Sequence, residues 1–282
     1  MRLTVSGHTF EMLPLEGVLA IAQHMGFKGV DISGFHARGR IGFEPEDILA
    51  DPQGQADILN AALEKYGLDC VDFFPQFGAS PDQRSLNDPD ENVQAHTLEL
   101  VEACAQFCKL TNTPGMTILP GIDHTHRSLD ENLRISGENL KKATDIAAAQ
   151  GVELRFEPHM GSVAQTPERA LTLVQDYAPQ AKITLDYSHF MLQYIPEERI
   201  HAMIPYTGHV HLRPARPGRL QTRHADNTID WADVIARLKS AGYAGAVSIE
   251  YVAIDWFDCN KVDTLSETIF TKEALEAHVP VT

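Results

Sequence analysis

The chain has 282 residues, 43% of them apolar, and a formal net charge of −16 at pH 7. It is long enough for one large domain, and it holds no run of roughly 18 apolar residues that would span a membrane. Its acidic balance disfavours an extended nucleic-acid backbone while leaving a small neutral or chelated ligand open.

The opening, Met1-Arg2-Leu3-Thr4-Val5, reads as a strand and lacks the apolar core of a signal peptide. From there, short β-branched or apolar runs alternate with longer segments of helical period, the pattern of strand–helix units on a parallel sheet. The first strand covers residues 3–6 and its helix 15–25, stopped by Gly26. The second strand is 29–32, followed by a helix at 55–66 that Gly67 stops. The third strand, 69–74, leads into a long helix at 91–110 with Val93, Leu98, Val101, Ala105 and Cys108 on its apolar face. The fourth strand is 116–119, and the helix at 130–150 is opened by Ser128 or Asp130 and closed by Gly151. The fifth strand is 152–157, with a helix at 167–177 capped by Thr166 and carrying Pro167 at its first position. The sixth strand, 182–186, precedes a short helix at 197–204. The seventh, 209–212, precedes a helix at 231–241 capped by Asp230. The eighth, 246–250, precedes a last helix within 262–278. Eight such units over 1–282, with no linker, predict an α/β fold, a single-domain (β/α)8 barrel. The alternative is a doubly wound open sheet, and both folds place ligands at the carboxyl ends of the strands. No G-x-G-x-x-G or Walker-type loop stands in the chain, so no nucleotide cofactor is expected.

The ends of the last four strands concentrate ionisable residues. They read Leu154-Arg155-Phe156-Glu157-Pro158-His159, Leu185-Asp186-Tyr187-Ser188-His189-Phe190, His209-Val210-His211-Leu212-Arg213 and Ser248-Ile249-Glu250-Tyr251. A lone acid at a strand end commonly caps a helix or stays solvated. Three carboxylates and an imidazole at four consecutive ends would instead repel one another at one mouth, unless a divalent cation holds them. Mixed oxygen and nitrogen donors suit Mn²⁺, Mg²⁺, Co²⁺ or Zn²⁺, and the lack of thiolate donors argues against a structural zinc site. The cysteines, Cys70, Cys104, Cys108 and Cys259, contain no Cys-x-x-Cys pair and read as buried thiols of a reducing cytoplasm.

In this order, the four motifs resemble the xylose isomerase-like barrel superfamily, the sugar-phosphate isomerase/epimerase group, over nearly the whole chain and most sharply from Glu157 to Glu250. The resemblance to its ketose 3-epimerases implies one divalent metal, Mn²⁺ first, on Glu157, Asp186, His211 and Glu250. It implies that Glu157 and Glu250 also move protons on opposite faces of the substrate, and that His189 contacts the substrate. An Arg soon after the strand-seven His would bind substrate, with Arg213, Arg216 and Arg219 as candidates; Pro214 stands where relatives often carry an acid. The endonuclease branch uses Asp-Arg-His where this chain has Thr222-Arg223-His224, and the net charge adds to the case against DNA repair.

The implied chemistry is proton abstraction beside a carbonyl through a metal-stabilised enediolate. The proton's return gives an epimerase or isomerase. Loss of a β-substituent gives a lyase instead, such as a keto-sugar or inosose dehydratase or a C-glycoside-cleaving subunit acting on a 3-keto sugar. A non-catalytic carbohydrate-binding subunit is the third possibility. His159, Arg213, Arg219, His224 and Trp256 complete the expected substrate contacts, His8 is a further candidate for the mouth, and His209 reads as a hydrogen-bonded core histidine. The expected partners are a small sugar-like substrate and either further copies of the chain, as a dimer or tetramer, or a small partner subunit.

Overall fold

The strands alternate polar with apolar residues, and this alternation decides the architecture. In the computed structural model, which describes residues 1–37 and 40–281, the strands are β1 (Arg2–Ser6), β2 (Gly29–Phe35), β3 (Asp69–Gln76), β4 (Gly115–Ile118), β5 (Glu153–Phe156), β6 (Lys182–Asp186), β7 (Thr207–Leu212) and β8 (Ala246–Ile249). They pair in parallel in chain order and close between β1 and β8, with Leu3 opposite Val247 and Val5 opposite Ile249. The chain is a (β/α)8 barrel.

Successive side chains of a strand point to opposite faces. The apolar set, including Val5, Ile32, Phe156, Leu185, Val210 and Ile249, is at most 1% exposed and packs outward under the helices. The polar set points inward, as its hydrogen bonds between non-adjacent strands prove. Thr117 of β4 meets Thr184 of β6 at 2.6 Å, Arg155 of β5 meets Asp72 of β3 at 2.8 Å, and His209 of β7 meets Asp31 of β2 at 3.0 Å. Many barrels of this class fill the interior with Val, Ile and Leu; here it is a hydrogen-bonded polar stack. Gly115 makes room for it, since a Cβ there would lie 2.3 Å from the Arg155 guanidinium carbon.

The helices are α1 (Leu15–His24), α2 (Pro45–Ala50), α3 (Pro52–Tyr66), α4 (Glu91–Leu110), α5 (Leu129–Ala149), α6 (Pro167–Thr172), α7 (Tyr187–Leu192), α8 (Glu197–His201), α9 (Trp231–Ser240) and α10 (Thr264–Leu275). The expected caps form where the chemistry requires them. The Ser128 hydroxyl accepts from the Glu131 amide, Thr166 from Arg169 and Asp230 from Asp233, while Gly67 ends α3 at φ 61°. Two helices are additions to the sequence reading. The six residues of α2 are too few to show a period, and Asp51, which ends it, at once caps α3. Helix α7 starts directly on Asp186, whose carboxylate accepts from the Ser188 amide at 2.8 Å. The expected helix at 167–177 is divided, its last turn Leu173–Tyr177 being π-helical. Among the described residues, no helix is long and apolar enough to cross a membrane.

Asp72 is fully buried and Arg155 is 6% exposed, so their ion pair is one whose halves cannot be separated cheaply. Asp72→Ala is expected to lower the unfolding free energy by about 3 kcal/mol. Arg155→Leu added to it should recover part of the loss, both read from urea denaturation midpoints.

Candidate metal centre

The carboxyl ends of β5 to β8 deliver Glu157, Asp186, His211 and Glu250 to one mouth, all at most 5% exposed. His211 lies at its centre. Its Nδ1 is 2.8 Å from Glu157 Oε1 and 3.5 Å from Glu250 Oε2, and single donor atoms of these three residues all fall within 4.8 Å of one another. Asp186 belongs to a neighbouring group with Glu157 and His189. The reason is Arg213, two residues beyond His211 and therefore on the same inner face one layer higher. Its Nη2 lies 2.5 Å from Asp186 Oδ2 and 3.1 Å from Glu250 Oε2, so the guanidinium is wedged between two of the four expected ligands.

The electrostatics follow from burial. Burial opposes the charge of Asp186, but Arg213 and then His189 hold its carboxyl down to about 2. Glu157 is pushed up to about 7, first by burial and then by Glu250 and Asp186, against the pull of His211. Burial disfavours the His211 cation, yet Glu250, Asp31 and Glu157 outweigh it and hold the imidazole well above its ordinary range. Among the described residues, four buried carboxylates, Asp31, Glu157, Asp186 and Glu250, thus gather around His211 and one permanent cation, Arg213. A divalent cation on Glu157, His211 Nδ1 and Glu250 fits this donor set and its unbalanced charge.

Asp31 completes the arrangement. Its Oδ2 lies 3.0 Å from His209 Nε2 and 3.4 Å from His211 Nε2. A carboxylate facing Nε2 keeps a proton there, so that a metal would take the place of the proton that Nδ1 shares with Glu157. The sequence reading passed over Asp31; the signal was an acid inside the run Val30-Asp31-Ile32, where a strand facing only apolar surroundings would not carry one.

His159 and His189 are fixed as a pair through Met160. His159 Nδ1 lies 2.6 Å from the Met160 carbonyl, which can only accept, so Nδ1 carries the proton. The Met160 amide donates to His189 Nδ1 at 3.2 Å, so His189 is protonated at Nε2, which lies 3.6 Å from Asp186. Burial pushes His159 down to about 4 and His189 well below the ordinary range, leaving both neutral.

A cavity of about 600 Å³ stands above these groups, lined by Glu157, His159, His189, Arg213, Glu250 and Trp256 among others. Two expected substrate contacts lie elsewhere. After β7 the chain turns back on itself, with Arg216 and Arg219 bridged, and this carries Arg219 to the surface against Asp258 at 3.0 Å. His224 sits in a separate groove, its amide on Glu267 at 2.6 Å. Neither lines the cavity, because the fold-back consumes the residues that would have reached inward. His8 lines it, while His209 is a layer deeper on Asp31.

Residues 19–269 match the family model described as xylose isomerase-like TIM barrel. An inosose dehydratase of Geobacillus thermodenitrificans is 24% identical in an alignment of 218 positions that covers 68% of this chain and 72% of that protein. Among solved structures, the D-psicose 3-epimerase of Clostridium cellulolyticum, determined with D-tagatose, superimposes with a TM-score of 0.75 at 16% identity over 99% of both chains. The IOLI protein, determined with a zinc atom, gives 0.75 at 17% identity over 99% of this chain and all of that one.

To bind a metal, Glu157 and His211 must give up protons that their surroundings raise, so metal affinity and the metal's gain in melting temperature are expected to grow as pH rises through about 7. Calorimetry in buffers of different ionisation enthalpy should record protons released. Asp31→Asn is expected to weaken Zn²⁺ or Mn²⁺ binding by about 10- to 100-fold with the fold intact; unchanged affinity would remove Asp31 from the centre.

Proposed function

The chain belongs to the xylose isomerase-like TIM barrel family, and from that premise we propose that it is a divalent-metal-dependent enzyme that isomerises or epimerises a small sugar-like substrate by moving a proton beside its carbonyl. The observation that carries the reading is the pair of carboxylates, Glu157 after β5 and Glu250 after β8, which both lie within 3.5 Å of His211 Nδ1 and line the cavity. A divalent cation bound there, Mn²⁺ in the first instance, would supply Lewis-acid polarisation of the substrate carbonyl.

The chain's own residues account for the rest. Glu157 would take and return the substrate proton as a general acid–base, its carboxylate standing at the floor of the cavity. Glu250 is held by the Ser6 hydroxyl at 3.3 Å and by Arg213, and faces the substrate from the other side. Arg213 offsets negative charge as it develops on the substrate oxygen. His189 presents a fixed N–H at Nε2 and His159 a fixed lone pair at Nε2, so each can hold one hydroxyl in a set direction.

A lyase is the second reading, favoured by the inosose dehydratase relative. Homo-oligomers and a cytoplasmic location accompany both readings; the four cysteines are buried free thiols, in keeping with a reducing compartment.

The test is solvent exchange. With Mn²⁺ loaded in D2O, ketoses and 3-keto sugars are expected to gain deuterium beside the carbonyl with formation of a new stereoisomer or isomer; deuterium with loss of water or an aglycone selects the lyase. Glu250→Gln should lower turnover by about 10²- to 10⁴-fold with an unchanged circular dichroism spectrum, and near-normal turnover would remove Glu250 from the chemistry.

A further inference from the structure

Between Val252 and Cys259 the chain after β8 leaves the barrel as a loop and returns. Both ends are buried and pack with Leu220 of the segment after β7. Both are also held by one side chain, the buried Gln221. Its Nε2 donates to the Val252 and Cys259 carbonyls, each at 2.9 Å, and its Oε1 accepts from the Val252 amide at 2.8 Å. A side-chain amide offers two donors and an acceptor on one rigid plane, and all three functions are used here. The eight residues 252–259, with their ends brought together, form an Ω-loop. It carries Ile254, Asp255 and Trp256 to the cavity, and the Trp256 ring lies 5.9 Å from that of His189. Gln221 itself does not line the cavity.

The backbone of the loop does not favour this course. Phe257 at φ 48° and Asp258 at φ 64° are successive non-glycine residues in the left-handed region, a conformation that persists where the surroundings impose it. On the outside, Asp258 meets Arg219 at 3.0 Å and Lys261 at 2.9 Å, but these ion pairs are solvent-exposed and contribute little. The hydrogen bonds of Gln221 are buried, so breaking them strands two carbonyls and an amide away from water. We propose that Gln221 is a positioning residue: by clasping both ends of the loop it fixes Trp256 over His189 as the outer wall of the substrate site, without touching the substrate. That a sugar-like molecule occupies the site rests on the function proposed above; the clasp rests on the loop alone.

The chain has two tryptophans, so Trp231→Phe leaves Trp256 as the sole emitter. In that background, Gln221→Met keeps the volume without the bonds, and Gln221→Glu sets oxygens against the two carbonyls. Both are expected to raise acrylamide quenching of Trp256 several-fold, with an unchanged far-ultraviolet circular dichroism spectrum. A lower melting temperature with Trp256 quenching unmoved would make Gln221 a stabilising residue only, and would overturn the proposal. Should neither variant fold, hydrogen exchange on the unsubstituted chain decides. The Val252 amide is expected to be protected as the barrel strands are, while the amides of 253–255 exchange freely; a Val252 amide that exchanges with the loop overturns the clasp. Where the ketose panel gives turnover, both variants should raise KM several-fold with kcat nearly unchanged, and a loss confined to kcat would place Gln221 in the chemistry and overturn the positioning role. Quenching needs neither metal nor sugar. A freed Trp256 with no deuterium entering any ketose therefore sinks the proton-transfer reading alone, and deuterium entry with an unmoved Trp256 sinks the clasp alone.

Discussion

Five carboxylates, Asp31, Asp72, Glu157, Asp186 and Glu250, face the interior of this barrel, each 5% exposed or less. Buried negative charge at this density persists only where cations and donors meet it. Asp72 is answered by Arg155, Asp186 by Arg213 and Asp31 by two histidines. Glu157 and Glu250 are left to share His211 and one edge of Arg213. The residual charge therefore gathers at one face of His211, where burial and the neighbouring carboxylates push Glu157 up to about 7. The polar stack below and the helices around it serve to hold that face in place.

Arg213 gives the centre a particular character. Asp186 is engaged twice, by the guanidinium and by the first turn of α7, whose Ser188 amide it caps. It acts as a joint between β6, α7 and β7 as much as a free ligand. Of the three donors Glu157, His211 and Glu250, the two carboxylates line the cavity, so a metal held there would keep a side open toward it. Asp31, from the opposite wall, sets which nitrogen of His211 faces that side.

Chemistry and shape are divided between the halves of the barrel. The strands β5 to β8 deliver Glu157, Asp186, His211 and Glu250, whereas the other side of the cavity takes Phe35 from β2, Phe74 and Gln76 from β3 and Leu119 beyond β4. Relatives that share such a scaffold can differ in substrate without rebuilding the charged face.

The sequence by itself determined the eight strand–helix units, the helix caps at Thr166 and Asp230, and the three acids and one imidazole at consecutive strand ends. All of these are local patterns: periods of two and of about three and a half residues, and single side chains bonding amides three positions on. Only the tertiary structure decided the partners. Asp31 meets His209 and His211 across 178 and 180 positions of chain because β2 and β7 look at each other through the barrel. Arg213, one of three arginines that sequence could not rank, is the one that reaches Asp186, since it continues the inward face of His211. Arg219 and His224 went elsewhere because the chain folds back after Pro214, through contacts with Asp258 and Glu267 contributed by residues beyond β8. Closure of the barrel is a long-range event, and pairings across its interior leave no period in the sequence.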